Sequence, residues 1–170
     1  MSEIDFTEQY EKDYFLSRES DEKRMLSYLS EYEKILRYIN RGSVLDIGCG
    51  LGEFLELFGK GWDKYGIEIS KYASSIAERK NIKMIDFDFD PNSMDLIIFR
   101  GTLQHLDKPL WSIKKCLDMV KPKGYMVFLA TPNTNSIYYR IFKNLPVLDS
   151  KRNFILPSDI MLKQILENFG

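Results

Sequence analysis

Three glycines that follow a short strand-like segment carry the clearest chemical signal of the sequence. The segment Val44–Ile47 leads directly into Gly48, Gly50 and Gly52, and residues that favour a helix follow. A glycine lets the backbone turn tightly and lets a ligand approach the peptide groups, because no Cβ stands in the way. A strand that enters a helix through such a loop is typical of sheets that bind nucleotide-like cofactors.

The spacing of these glycines departs from that of the dinucleotide-binding fingerprint, G-x-G-x-x-G. The position that this pattern reserves for its third glycine is occupied here by Glu53. A carboxylate in the first turn of a helix disfavours an anionic pyrophosphate at the same helix terminus. The loop therefore favours a cofactor without phosphate, and an NAD-dependent oxidoreductase is the weaker alternative.

A second acidic residue, Glu68, is placed to bind a ribose. It ends the next strand-like segment, twenty-two residues after Asp46. An acid at about this distance from the glycine loop accepts hydrogen bonds from ribose hydroxyls in nucleotide-binding sheets. The alternative is a carboxylate that faces solvent at the end of a strand.

Strands that alternate with helices must position these residues. The predicted strands are 43–47, 64–69, 82–87, 94–99 and 125–130. The predicted helices are 20–40, 51–60, 70–79, 110–120 and a last one that Ser158 caps. Apolar strands separated by helices indicate a parallel sheet covered on both sides. The sequence therefore predicts an α/β fold, a Rossmann-like, doubly wound, mainly parallel sheet with helices on both faces.

Composition excludes several other classes of protein. With 44% hydrophobic residues among 170, the chain has enough apolar material for a folded core, which excludes a disordered protein. A net charge of −1 argues against nucleic-acid binding, which needs surplus positive charge. Two cysteines and one histidine are too few for a disulfide framework or a zinc site, so no metal is expected. No apolar run approaches the roughly 20 residues that span a bilayer, and the acidic N-terminus is unlike a signal peptide; a cytoplasmic protein without a membrane span is expected.

The sequence resembles the class I S-adenosylmethionine-dependent methyltransferases. The resemblance covers roughly residues 25–170 and is most specific at Leu45–Gly52, L-D-I-G-C-G-L-G. It continues through Gly66–Ser70, Met94–Leu106, Lys121–Gly124 and Thr131–Asn133. Within this family the sequence is similar to small-molecule methyltransferases related to the O-methylation enzymes of ubiquinone biosynthesis. The resemblance implies transfer of a methyl group from S-adenosylmethionine to a small-molecule acceptor, with oxygen as the expected acceptor atom and S-adenosylhomocysteine as the product.

The resemblance also implies which residues bind the adenosine part of the cofactor. Glu68 is expected to hold the ribose hydroxyls, and Ile69 to pack against the adenine ring. An acid after the third strand is expected to bind the adenine amino group. Asp86 and Asp88 both qualify; Asp86 is preferred because Phe87 follows it as an apolar neighbour.

The methionine end of the cofactor involves two further loops. By the same resemblance, the methionine and ribose side is lined by Asp46, Gly48, Cys49 and Gly50. The backbone of Arg100 and Gly101 is expected to face the methionyl group. The Arg100 side chain either meets the cofactor carboxylate or an anionic acceptor, or it is a surface arginine.

His105, the only histidine of the chain, falls at the L-x-H position of the family. A histidine suits a general base for a hydroxyl acceptor, because its pKa range lies near neutral pH. The alternative is a structural histidine that bonds a neighbouring loop and shapes the site.

The resemblance predicts two parts of the chain. Residues 1–40 are expected to form an N-terminal helical segment, and residues 41–170 the methyltransferase domain. Tyr10, Tyr14 and Phe15 are spaced for one helix face, which either packs on the domain or closes over the site as a lid. Because family members usually continue into two more strands, the domain is expected to be incomplete at its C-terminus. A cofactor-binding module without catalysis is therefore an alternative function.

Overall fold

Five parallel strands form the sheet of the protein. In this computed structural model, which describes residues 14–15, 22–145 and 153–169, the strands are β1 (Gly42–Ile47), β2 (Trp62–Ile67), β3 (Lys83–Met84), β4 (Met94–Arg100) and β5 (Val120–Leu129). Their order is β3-β2-β1-β4-β5, and every neighbouring pair is parallel. The chain winds outward from β1 to β3 and then returns to β4 and β5 on the other side of β1. This is the doubly wound arrangement that the sequence predicts.

Helices connect the strands and cover the sheet. They are α1 (Glu22–Leu36), α2 (Glu53–Glu56), α3 (Lys71–Arg79), α4 (Pro109–Met119), α5 (Ile137–Phe142) and α6 (Asp159–Phe169), with a 3-10 turn at Leu103–His105. Two serines cap helices as predicted. The Ser70 hydroxyl accepts a hydrogen bond from the Ala73 amide at 3.3 Å, and the Ser158 hydroxyl accepts one from the Met161 amide at 3.1 Å.

The two larger clusters of the described core lie on opposite faces of the sheet, because side chains alternate along the central strands. On one face, Val44 of β1 packs with Tyr28 of α1 and Ala77 of α3. On the other face, Leu45 packs with Ile113 of α4. Because successive side chains of a strand point to opposite faces, β1 contributes to both clusters. Both faces of the sheet are therefore covered by helices, as predicted.

Three elements are shorter than the sequence predicts. Helix α1 ends at Leu36 instead of 40. The third strand ends at Met84 instead of 87, because a carboxylate oxygen of Asp86 accepts a hydrogen bond from the Asp88 amide at 2.9 Å and turns the chain. Helix α2 covers only Glu53–Glu56, because its last turn closes by shorter i to i+3 bonds before Gly59.

The end of α4 and the start of β5 also differ from the prediction. The helix ends at Met119, and Val120 already begins β5. The segment 121–124 forms an irregularity within this strand, where Lys123 has a φ of 69° and the pairing with β4 shifts register. A proline and a glycine therefore mark a bulge in the strand here, and not a loop before it.

Because all strands run in one direction, the carboxyl ends of β1, β2 and β4 meet at one edge of the sheet. Ile47 pairs with Ile67 on one side and with Phe99 on the other. The next residues along the chain, Gly48 and Glu68, therefore lie beside each other at this edge. This is where a doubly wound sheet places its ligand.

Candidate functional site

A cavity of about 530 Å³ opens at the carboxyl edge of the sheet. This volume lies within the range of ligand pockets, about 300–1,000 Å³. Its walls come from the glycine loop, the residues after β2 and β4, helix α1 and the described pair 14–15. Nine residues that the sequence analysis expects at the site line it: Gly48, Cys49, Gly50, Glu68, Ile69, Phe87, Arg100, Gly101 and His105.

The glycine loop is held close to the ends of the strands. The amides of Gly48 and Cys49 both donate to the carbonyl of Ile67, at 2.7 Å and 3.2 Å. Gly48 has a φ of 74°, and a Cβ added there would lie 2.7 Å from the side chain of Thr102. Only glycine takes up this position without strain, because the backbone is left-handed and no space remains for a side chain.

Glu68 joins the end of β2 to the glycine loop. Its carboxylate accepts a hydrogen bond from the Gly50 amide at 2.9 Å through Oε2, and one from the Ser70 amide at 2.8 Å through Oε1. Burial raises the pKa of Glu68, and these backbone donors act in the opposite direction. The carboxylate therefore does not simply face solvent. Because a carboxylate accepts about four hydrogen bonds, the backbone donors do not use its full capacity.

Asp46 is buried beneath the glycine loop and is not among the residues of the cavity wall, so its contact with the methionine end of the cofactor stays a prediction. Only 3% of the residue is exposed, and its Oδ1 is buried without a hydrogen-bond partner among the described residues. Burial raises the pKa of Asp46 to about 8; Glu68 adds to the rise and Arg100 opposes it. A buried acceptor that lacks a donor fits a site in which a ligand supplies a positively charged donor.

The acids after β3 lie away from the cavity. Asp86 is exposed and is absent from the wall, so the structure does not place it where the resemblance expects an adenine partner. Asp88 forms an ion pair with Lys115 of α4. The apolar neighbours do reach the cavity: Phe87 lines it, with its ring packed edge-on against Trp111, and Ile69 lines it while 55% exposed.

Arg100 fastens helix α1 to the end of β4. Its Nε donates to Glu31 Oε2 at 2.6 Å, and its guanidinium lies 4.1 Å from the ring centre of Tyr28. The interpretation as a surface arginine is wrong, because only 16% of the side chain is exposed. In this structure the guanidinium is engaged by α1, and its charge also acts on Asp46.

Sequence reasoning missed the part of α1 that lines the cavity. Arg24 and Tyr28 both face it, and Arg24 Nη1 lies 3.6 Å from Glu53 Oε2. The sequence does indicate that these residues share a face, because positions 24, 28 and 31 fall on one side of a helix. The sequence did not say on which part of the sheet that face would lie.

The pair 14–15 covers the glycine loop. Phe15 is 7% exposed and packs with Leu51 and Ala73, and a Cβ on Gly50 would lie 3.4 Å from its ring. Tyr14 also lines the cavity. Tyr10, the third aromatic residue of the predicted face, lies outside the described residues.

His105 and Gln104 form the wall after β4. The Gln104 amide nitrogen, Nε2, lies 3.2 Å from Nε2 of His105 and donates to the Gly101 carbonyl at 3.1 Å. Gln104 is 3% exposed, and its Oε1 is buried without a hydrogen bond from any described residue. Of these two residues, only His105 was expected at the site from the sequence; Gln104 was not.

Residues 14–15, 22–145 and 153–169 contain no cluster of three histidine, cysteine, aspartate or glutamate side chains arranged to hold a metal ion. None of the helices in these ranges is both long enough and apolar enough to cross a membrane.

Known proteins share this arrangement. The chain matches the model of a methyltransferase domain family over residues 17–170. An uncharacterised protein of Methanocaldococcus jannaschii is 30% identical over 127 residues, which cover 72% of this chain and 57% of that protein. A ubiquinone biosynthesis O-methyltransferase of Aliivibrio fischeri is 29% identical over 140 residues, which cover 69% of this chain and 59% of that enzyme. The crystal structure of an S-adenosylmethionine-dependent methyltransferase from Archaeoglobus fulgidus matches with a TM-score of 0.68 at 27% identity, over 92% of this chain and 73% of that chain.

The chain spans just under three-fifths of the length of both curated relatives. The family model, by contrast, covers nearly the whole chain, including the glycine loop, Glu68 and His105. Sheet order, loop geometry and sequence similarity agree, and the chain therefore belongs to the class I S-adenosylmethionine-dependent methyltransferases.

Proposed function

We propose that the protein transfers the methyl group of S-adenosylmethionine to an oxygen atom of a small-molecule acceptor. One observation carries the proposal: Glu68 is tied to the Gly50 amide at the edge of a cavity that is large enough for a ligand. A carboxylate accepts about four hydrogen bonds, so Glu68 can also accept from the hydroxyls of a ribose. The O-methyltransferase among the relatives supports oxygen as the acceptor atom.

The described residues fit the other parts of this cofactor. Asp46 Oδ1 has no donor among the described residues, and the α-ammonium group of the cofactor supplies one of the right charge. The apolar side chains of Ile69 and Phe87 suit the faces of an adenine ring. Arg24 provides a cation in the cavity wall for the carboxylate of the methionyl group. No phosphate group is needed to satisfy any of these residues.

When bound, S-adenosylmethionine supplies an electrophilic methyl group on a sulfonium. The residues of the chain then act mainly by holding the two reactants in place and by excluding water from them. The glycine loop and Glu68 fix the adenosine end, and Phe15 covers the loop. Alignment of two bound reactants removes much of the entropic barrier to a displacement reaction.

An oxygen acceptor loses a proton when it is methylated. His105 lines the cavity, and its ring either takes that proton or orients the acceptor. A binding module without catalysis is the second candidate, favoured by the ion pair that ties the Arg100 guanidinium to Glu31 of α1.

A turnover assay separates these functions. The protein is incubated with S-adenosylmethionine and a panel of phenols, catechols and aliphatic alcohols, and methylated product and S-adenosylhomocysteine are measured together. We expect equal amounts of both with at least one acceptor, and a large loss of turnover in Glu68→Ala. Glu78→Ala, which changes an exposed carboxylate on α3, is the matched control. Cofactor binding without product from any acceptor would favour the binding module.

A further inference from the structure

Gln104 holds its side-chain amide between the backbone of Gly101 and the ring of His105. A single atom, Nε2, makes both contacts: 3.1 Å to the Gly101 carbonyl oxygen and 3.2 Å to Nε2 of His105. The residue is 3% exposed, so water does not compete for these contacts. Whether this atom donates or accepts a hydrogen bond therefore bears on which nitrogen of the His105 ring carries the proton.

The contact with Gly101 fixes which way the amide points. A backbone carbonyl only accepts hydrogen bonds, so the side-chain atom 3.1 Å from it must be the NH₂ group. The flipped amide would place two acceptor oxygens against each other at this distance and would leave the NH₂ group buried without an acceptor. Both consequences are costly in a buried site.

The amide orientation then fixes the tautomer of His105. An amide NH₂ has two hydrogens to donate, one for Gly101 and one for the ring, and it accepts nothing. The ring nitrogen that faces it, Nε2, must therefore be the acceptor. In a neutral imidazole only one nitrogen accepts, so the proton of the ring lies on Nδ1.

We propose that Gln104 is a positioning residue that fixes His105 as the Nδ1–H tautomer, with the Nε2 lone pair bound by the Gln104 amide. Applied to methyl transfer, and resting there on the proposed function, this means that Nε2 does not take the proton of the acceptor; the ring orients the bound molecules instead. The other amide atom, Oε1, is buried without a hydrogen bond from the described residues, so it is left to accept one from a hydroxyl or ammonium group of a bound ligand.

Nitrogen-15 NMR of the imidazole tests this directly, because the chain has a single histidine and its ring signals need no assignment. Two-bond proton–nitrogen spectra of labelled protein are recorded at about pH 8.5, roughly two units above the ordinary histidine pKa of about 6.5. We expect a protonated-type Nδ1 and an unprotonated-type Nε2. A protonated-type Nε2, or an even mixture of the two tautomers, would overturn the proposal.

Two variants show whether Gln104 is the cause. At pH 8.5 Gln104→Glu replaces the donor by an ionised carboxylate, which only accepts, so Nε2 should gain a proton and its signal should change to the protonated type. Gln104→Met keeps the volume and removes both donor and acceptor, so the share of the Nδ1–H tautomer should fall. An unchanged pattern in Gln104→Glu would contradict the proposal, and the wild-type spectrum decides even where a variant fails to fold.

The spectrum requires no catalytic activity, so its failure differs from a failure of the proposed function. A protein that transfers no methyl group but shows the expected tautomer keeps this proposal and loses the other. Where turnover is found, Gln104→Glu should change the shape of the pH profile of kcat. If Gln104 had only a packing role, its substitution would lower the stability of the protein and would leave both the tautomer and that pH profile unchanged.

Discussion

The carboxylate of Glu68 and the amide of Gly50 are joined by a hydrogen bond of 2.9 Å. This bond links the loop after β1 to the end of β2, two strands that lie side by side in the sheet. The acid that is expected to bind ribose is therefore also a structural support of the glycine loop. Its removal should affect the shape of the site as well as its affinity.

Replacing Gly48 by alanine should destabilise the loop. The residue has a φ of 74°, and the new Cβ would lie 2.7 Å from Thr102. The left-handed backbone alone costs a non-glycine residue about 1–2 kcal/mol, so the free energy of unfolding in urea should fall by at least about 1 kcal/mol. Gly59→Ala is the matched control, because a Cβ there meets nothing within 4 Å. Equal stability of the two variants would contradict the loop geometry.

The stability of the protein should depend on pH through Asp46. Burial raises the pKa of this carboxyl from 3.8 to about 8 in the folded protein. Between these values the folded state keeps a proton that the unfolded state has released, so stability falls as pH rises through the window. Relative to Asp46→Asn, the wild type should lose stability between about pH 5 and about pH 8, as measured by urea unfolding at both values. Parallel behaviour of the two proteins would show that Asp46 titrates normally.

Binding of the cofactor should release a proton from the same carboxyl. A positively charged ammonium beside Asp46 favours the ionised form, whereas in the free protein the raised pKa keeps it mostly protonated at neutral pH. Calorimetric titration with S-adenosylhomocysteine in two buffers of different ionisation enthalpy measures the protons released. We expect up to about one proton for the wild type near pH 7. Asp46→Asn should release none, and equal release by both proteins would assign the proton to another group.

The ion pair between Arg100 and Glu31 should contribute measurably to the docking of α1. Both side chains are 16% exposed, so solvent screens their interaction only in part. A double-mutant cycle with Arg100→Met and Glu31→Gln should give a coupling free energy of about 0.5–3 kcal/mol. The more exposed pair of Lys80 and Glu56 is the reference and should give less than about 1 kcal/mol. A coupling no larger than that reference would mean that this ion pair adds little to the docking of α1.

The sequence was sufficient to predict the sheet and the part of the site that the strands carry. Gly48 and Glu68 follow directly after β1 and β2, and the carboxyl ends of parallel strands meet at one edge. Their places therefore follow from the order of strands and helices alone. The same argument holds for His105, which comes soon after the end of β4.

The rest of the site depends on contacts between distant parts of the chain. Arg24 and Tyr28 reach the cavity because α1 packs over the end of the sheet, and a helical pattern shows an apolar face without showing what it packs against. Asp86 was expected beside the adenine, but its carboxylate turns the chain by bonding the Asp88 amide. A regular alternation of acids is typical of a strand. Here the hydrogen bond from the Asp88 amide to the Asp86 side chain forms a turn instead.

Calorimetric titration with S-adenosylhomocysteine tests the central claim most directly, with NAD as the comparison ligand and Glu68→Ala beside the wild type. We expect the wild type to bind S-adenosylhomocysteine and not NAD. We also expect Glu68→Ala to bind S-adenosylhomocysteine at least about tenfold more weakly, since hydrogen bonds to a charged group contribute about 1.5–3 kcal/mol. Binding of NAD alone, or equal affinity of the two proteins for S-adenosylhomocysteine, would contradict the assignment of this cavity.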